Sequence, residues 1–281
     1  MSTQIRSVVD LIEPIYVMEG AGVRLRRSIA TRRLDYLDPF LLFDHFGSDD
    51  PKDYLAGFPL HPHRGIETVT YMLAGKVHHG DSLGNSGDIT AGDVQWMTSG
   101  RGILHEEMPQ PVDGKMEGFQ LWVNLPARLK MTQPRYQEIA ADQIPVVELE
   151  SGTRVRLVAG KVGDRRGPVT EIAADPTYLD VRVAPNGKLD HPVARGHTAF
   201  AYIFEGQGSF AGKDIAATRL AIFGDGDRIQ VAAGAQGVRF LLASGLPLGE
   251  PIARYGPFVM NTRQEIEQAL RDLQNGTFVQ P

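Results

Sequence analysis

The sequence predicts an all-β protein made of two copies of one barrel plan, and three observations carry that expectation. First, Gly and Pro recur at roughly eight- to twelve-residue intervals, the rhythm of short strands joined by turns. Between them lie segments rich in Val, Ile, Tyr, Phe and Thr: EPIYVME, IETVTYML, DVQWMT, FQLWVNL, RVRLVAG, AFAYIF and VRFLLAS. Such residues fit a pleated, half-buried surface. Second, the chain repeats itself weakly. YMLAGKV at Tyr71–Val77 resembles YIFEGQG at Tyr202–Gly208, and ITAGDVQW at Ile89–Trp96 resembles IFGDGDRI at Ile222–Ile229. Third, only the C-terminus reads as a helix. Thr262 and Glu265 form a capping box, Ile266, Leu270 and Leu273 make one apolar stripe, and Gly276 ends it. At 281 residues the chain has room for two domains. The expected division is 1–135 and 136–281, with the seam in the polar, proline-bearing stretch Met131–Pro145.

Composition removes several function classes. The formal net charge is −5 and Lys and Arg are dispersed, so the basic stripe needed to neutralise phosphates is missing. Direct binding of nucleic acid is not expected. There is no cysteine, which leaves nitrogen and oxygen as the only metal donors and excludes thiol chemistry. The start MSTQIRSVVDLIEP lacks the apolar core of a signal peptide, and no run approaches the roughly 18 apolar residues of a membrane span. The expectation is a cytoplasmic protein with no membrane contact, in which the sequon Asn275-Gly276-Thr277 stays unmodified.

Two short patterns carry chemistry. Residues two apart on a strand point the same way. His61-Pro62-His63 therefore aims two imidazoles at one place, and His105-Glu106-Glu107 aims an imidazole and a carboxylate. From neighbouring strands, the two pairs would surround a small cavity with three nitrogens and one oxygen, a set suited to Fe(II), Mn, Ni, Co, Cu or Zn. Glu67 shares the parity of His61 and His63, so an unbroken strand would make it a rival ligand or a hydrogen-bond partner of one. The second copy lacks the set. Without gaps, Pro192, Ala194, Arg239 and Leu241 stand at the matching positions. A gapped alignment, with His191 or His197, restores one histidine at most.

Other candidates are weaker. His78 and His79 are adjacent, face opposite ways in a strand, and sit in the turn-prone KVHHGDSLGNSGD, where solvent is the expected partner. His45, in LLFDHFG, reads as a packed residue or a hydrogen-bond partner of a ligand rather than as a ligand. Gly20-Ala21-Gly22 lacks the third glycine and the helix of a dinucleotide loop, so it reads as a turn. No nucleophile elbow or P-loop occurs.

The stretches GFPLHPHRGIETVTYMLAGKVHHGD, GDVQWMTSGRGILHEEMP and FQLWVNLP, with PFLLFDHF and YGPFVMN, closely resemble the pirin family over nearly the whole chain. The resemblance implies a bicupin: two tandem jelly-roll-like cupin barrels, an iron-like metal in the N-terminal one and none in the C-terminal one. It implies His61, His63, His105 and Glu107 as the ligands, and a tail near Tyr255–Asn261 packed on the first domain. It further implies a quercetinase-like dioxygenase, which opens the ring of a flavonol or similar enolisable aromatic with O2. Glu107 would be the general base there, with Gln95, Trp96, Met97, Gln120 and Trp122 as candidate pocket walls. Small aromatic substrate and O2 are then the partners of an expected monomer. The alternative that the family offers is a metal- or redox-dependent interaction protein, a transcriptional cofactor or regulator of a partner enzyme.

Overall fold

The computed structural model describes residues 4–110 and 114–279. Among the described residues its ladders are antiparallel and the one α-helix is Arg263–Gln274. No helix among the described residues is long and apolar enough to cross a membrane. The chain divides into two compact units: Met1–Pro14, Leu37–Pro39 and Asp142–Pro247 form one, and Ile15–Tyr36, Phe40–Ala141 and Leu248–Pro281 the other.

In the unit containing residues 142–247, a nine-stranded sheet folds around an apolar core. Leu157, Leu189, Phe210, Val231, Phe240 and Leu242 are among its buried members. The N-terminal strand Val8–Ile12 pairs with Arg219–Phe223 and is anchored by an arginine two positions ahead of it. Arg6 is 1% exposed, and its guanidinium donates to the carbonyls of Ala194 (2.6 Å), His197 (2.9 Å), Gly224 (3.0 Å) and Gly226 (3.1 Å). Hydrogen bonds to a charged group contribute about 1.5–3 kcal/mol each when buried acceptors depend on them. Arg6→Ala is therefore expected to lower the denaturant-derived unfolding free energy of this unit by about 3 kcal/mol.

The other unit sets a wide sheet against a narrow one. The wide sheet runs Arg135–Ile139, Val94–Thr98, Ile66–Ala74, Met116–Asn124, Phe40–Ser48, Val23–Ile29 and Ile15–Glu19; the narrow one runs Phe58–His63, Ile103–Gln110, Lys76–Asp81 and Ser86–Thr90. Gly20-Ala21-Gly22 is the turn of the hairpin between Ile15–Glu19 and Val23–Ile29, as expected. Register puts Glu138, Gln95, Thr70, Gln120, Asp44 and Arg27 side by side in one row across the wide sheet. Cross-strand partners share a face, so this polar row looks into the barrel as a body, while Trp96, Val69, Leu121 and Phe43 form a buried apolar row on the reverse.

The helix starts on the predicted capping box, Thr262 with Glu265, and ends before Gly276 at φ 69°. Its buried face is Ile266 and Ala269, with Leu270 partly covered; Leu273 is 37% exposed and leaves the predicted stripe. The segment near Tyr255–Asn261 belongs to this unit, where the Val259 amide donates to the Arg64 carbonyl at 3.1 Å.

The internal repeat is real but differs in register from the sequence alignment. Tyr71 pairs with Val94 and Tyr202 with Leu220, so Val94 corresponds to Leu220, and Gly100, not Gly92, to Gly226. The cross-strand pairs agree: Ile103 faces His63 in one barrel and Ile229 faces His191 in the other. The counterparts of His61, His63, His105 and Glu107 are thus Leu189, His191, Val231 and Ala233. One histidine is restored, as a gapped alignment allowed. It is buried, and burial pushes its pKa down to about 4.

Candidate metal centre

His61 and His63 lie on Phe58–His63, and His105 and Glu107 on Ile103–Gln110, the strand hydrogen-bonded to it. His105 stands opposite His61, and a bulge displaces the register so that Glu107 meets Phe58. The parity of the two pairs holds, and the imidazoles of His61, His63 and His105 converge. Their ligand nitrogens all lie within 4.8 Å of one another, and ring centroids are 4.4–5.0 Å apart. Glu107 borders the same cavity but is not in that cluster of ligand atoms; its carboxylate accepts from the Thr70 hydroxyl at 3.1 Å.

The electrostatics of the cluster suit a cation. His61 Nδ1 is 2.9 Å from the Pro59 carbonyl, which can only accept, so Nδ1 donates there and Nε2 is the nitrogen turned toward the other rings. That Nε2 lies 3.1 Å from His63 Nε2. Two nitrogens each about 2.1 Å from a shared ion would stand roughly 3 Å apart. Both ring nitrogens of His105, and Nδ1 of His63, are buried without a hydrogen-bond partner. Burial, reinforced by the neighbouring imidazoles, holds His63 well below the usual histidine range and His105 down to about 3. Buried imidazole nitrogens left without partners, on His63 and His105, are costly to a fold, and three converging imidazoles are well matched to a divalent metal. The residues fit the group.

Glu67 does not join them. Gly65, at φ 81°, breaks the chain between Phe58–His63 and Ile66–Ala74, which resets the parity. Glu67 falls on the reverse of the wide sheet, 2% exposed, with Thr98 Oγ1 donating to it at 2.8 Å and burial raising its pKa to about 7.

The cavity beside the histidines measures about 510 Å³. Trp122 and Gln120 line it, as expected of pocket walls, and Trp122 meets the His63 ring edge-on at 5.2 Å. Gln95, Trp96 and Met97 do not line it. Trp96 faces the reverse of the sheet, and Gln95 donates to Glu138 at 3.3 Å. His45 is a packed residue 4.8 Å from Phe119 and is not on the cavity wall. His78 stays partly exposed but takes Asp88 rather than solvent as its partner, and His79 is 1% exposed, faces inward beside Glu107, and meets Glu138 at 2.9 Å. The alternation Val77, His79, Asp81 was the signal for it, masked by turn-forming residues close behind.

Comparisons with known proteins agree with this architecture. The family model described as Pirin matches residues 22–123, and that described as Pirin C-terminal cupin domain matches residues 178–279. A relative from Pseudomonas aeruginosa, named "Putative quercetin 2,3-dioxygenase", is 44% identical over 98% of this chain and 98% of its own length. Pirin of Homo sapiens is 43% identical over 92% of this chain and 88% of its own. A crystal structure of quercetin 2,3-dioxygenase from Acinetobacter baumannii superposes with a TM-score of 0.90 at 35% identity, covering 98% of this chain and 99% of that one. With two cupin domains and a histidine triad able to hold a metal ion in one of them, this chain belongs to the pirin family.

Proposed function

We propose that the protein is a metal-dependent dioxygenase of quercetinase type, which uses O2 to open the ring of a flavonol or a similar enolisable aromatic. One observation carries this reading: three converging imidazoles stand beside a largely apolar cavity of about 510 Å³, and two of them, His61 and His63, line it together with the buried carboxylate of Glu107. That volume lies within the roughly 300–1,000 Å³ of sites that enclose small organic ligands. His61, His63 and His105 would hold the ion, with Glu107 as the fourth ligand. A bound divalent ion would supply Lewis acidity and, where it is redox-active, electron transfer toward O2; Fe(II) suits the donors and the reaction best, Mn, Ni, Co and Cu are alternatives, and Zn would give Lewis acidity alone.

The chain's own residues supply the rest. Burial raises the pKa of Glu107, the direction that makes a carboxylate a better base for a phenolic or enolic hydroxyl. In this reading Glu107 takes the substrate's hydroxyl proton. Thr70 holds the carboxylate in place, and its hydroxyl also lies 2.7 Å from Gln120 Oε1, which ties the base to a cavity wall. Trp122, Phe46, Leu25 and Val77 exclude water and offer flat apolar surface to an aromatic ring.

The test uses protein reconstituted with Fe(II) without oxygen, then given quercetin and O2. Flavonol absorbance should fall as O2 is consumed in step, and Glu107→Gln should slow this by about 10²- to 10⁴-fold. Bleaching no faster in the native protein than in His61→Ala would end the dioxygenase reading for that substrate.

A further inference from the structure

Directly after His63, the chain places a cation that joins both ligand-bearing segments to the C-terminal tail. Arg64 is 1% exposed. Its Nε donates to the carbonyl of Arg101, on the loop that leads to His105. Its Nη1 meets Asp272 of the helix at 2.6 Å, and its guanidinium lies 4.4 Å from the Phe278 ring centroid. The neighbouring backbone is fixed as tightly. The Gly65 amide donates to Gly100 at 2.8 Å, and the buried Lys130 ammonium donates to Gly65 O (2.9 Å), Val259 O (2.8 Å) and Asn124 Oδ1 (2.8 Å). None of these groups touches the three imidazoles, yet they set the path of the chain on either side of them.

We propose that Arg64 is a positioning residue for the metal centre, and that the docked helix Arg263–Gln274 governs through Asp272 how long the ion is held. This rests on the three-imidazole site described above. Groups that orient metal ligands from outside the coordination shell commonly change metal affinity by about 10- to 100-fold. Without Asp272, the Arg64 guanidinium is a buried charge with no carboxylate, a state costly enough to drive it toward water. The residue that moves is covalently next to His63.

The experiment loads the full-length chain with Co(II), records its visible ligand-field spectrum, and follows release of the metal to excess chelator. Asp272→Ala should release cobalt about tenfold faster than the native protein, with an altered spectrum, and Asp272→Glu should recover most of the difference. Arg6→Ala weakens the other unit and serves as the stability control; its release rate should stay native. Native release and spectrum in Asp272→Ala, or equally fast release from Arg6→Ala, would overturn the proposal. Should Asp272→Ala not fold, Phe278→Ala removes the ring beneath the guanidinium and keeps the ion pair. It should also speed release, and a native rate there would equally overturn the proposal. A native protein that takes up no cobalt would instead remove the metal centre itself, and this inference with it.

Discussion

His105→Leu is expected to make the metal-free protein more stable while removing most of its metal affinity. The imidazole is 0% exposed and both its nitrogens lack partners, so the fold bears an uncompensated polar group worth about 1–3 kcal/mol. Leucine removes that cost at similar volume. Metal binding should move the opposite way. If a four-ligand site supplies roughly 10–16 kcal/mol, one ligand accounts for about 3 kcal/mol, or on the order of 100-fold in affinity. The effect on stability should also depend on pH. His105 is held near 3 in the folded chain, whereas an unfolded histidine titrates near 6.5. Between those values the unfolded state binds more protons, so this group destabilises the fold increasingly as pH falls. The advantage of His105→Leu should therefore widen from about pH 6.5 downward, by up to ~1.4 kcal/mol per pH unit. Denaturant unfolding of both metal-free proteins across that range checks the sign. A variant less stable than the native protein throughout would mean that the histidine is there for packing.

Gly65→Ala is the other change of large expected effect. Gly65 adopts φ 81°, and a Cβ there would lie 2.0 Å from Val259 O and 2.9 Å from Met260 Sδ. The carbonyl cannot yield cheaply, because Lys130 holds it and the Val259 amide is bonded to Arg64. Left-handed strain alone costs about 1–2 kcal/mol. With the clash, the loss should reach about 3 kcal/mol or more, read as a lower denaturation midpoint. Gly84→Ala is the matched control, since Gly84 has φ 87° with nothing within 4 Å of a built Cβ. It should cost only the ~1 kcal/mol of strain. Equal losses at the two positions would mean that the tail does not press on the turn after His63.

Much of this was legible in the sequence, for reasons particular residues make plain. Side-chain alternation is a local rule, so it correctly joined His61 to His63 and His105 to Glu107 within their own strands. It failed for Glu67, because one left-handed glycine intervenes and parity does not survive a turn. It also failed for His79, whose strand is hidden by the turn-forming GDSLGNSGD that follows. The repeat was detected through Tyr71 and Tyr202, but the glycines used to extend it were mismatched. Gly92 corresponds to Thr218 (φ 63°), so the second barrel accepts a strained non-glycine where the first has glycine. What no local pattern could show was that Arg64, Arg101 and Asp272, spread across most of the chain, meet at one point. That meeting depends on the long-range return of the C-terminal segment, which only the whole fold specifies.

The central claim is that His61, His63 and His105 bind one ion together. Anomalous diffraction from crystals of the protein loaded with Fe(II) or Co(II), measured at the metal's absorption edge, tests it most directly. A single strong peak is expected within bonding distance, about 2.0–2.3 Å, of one nitrogen from each of the three rings. A fully loaded crystal with no peak there, or with its peak at another site, would contradict it.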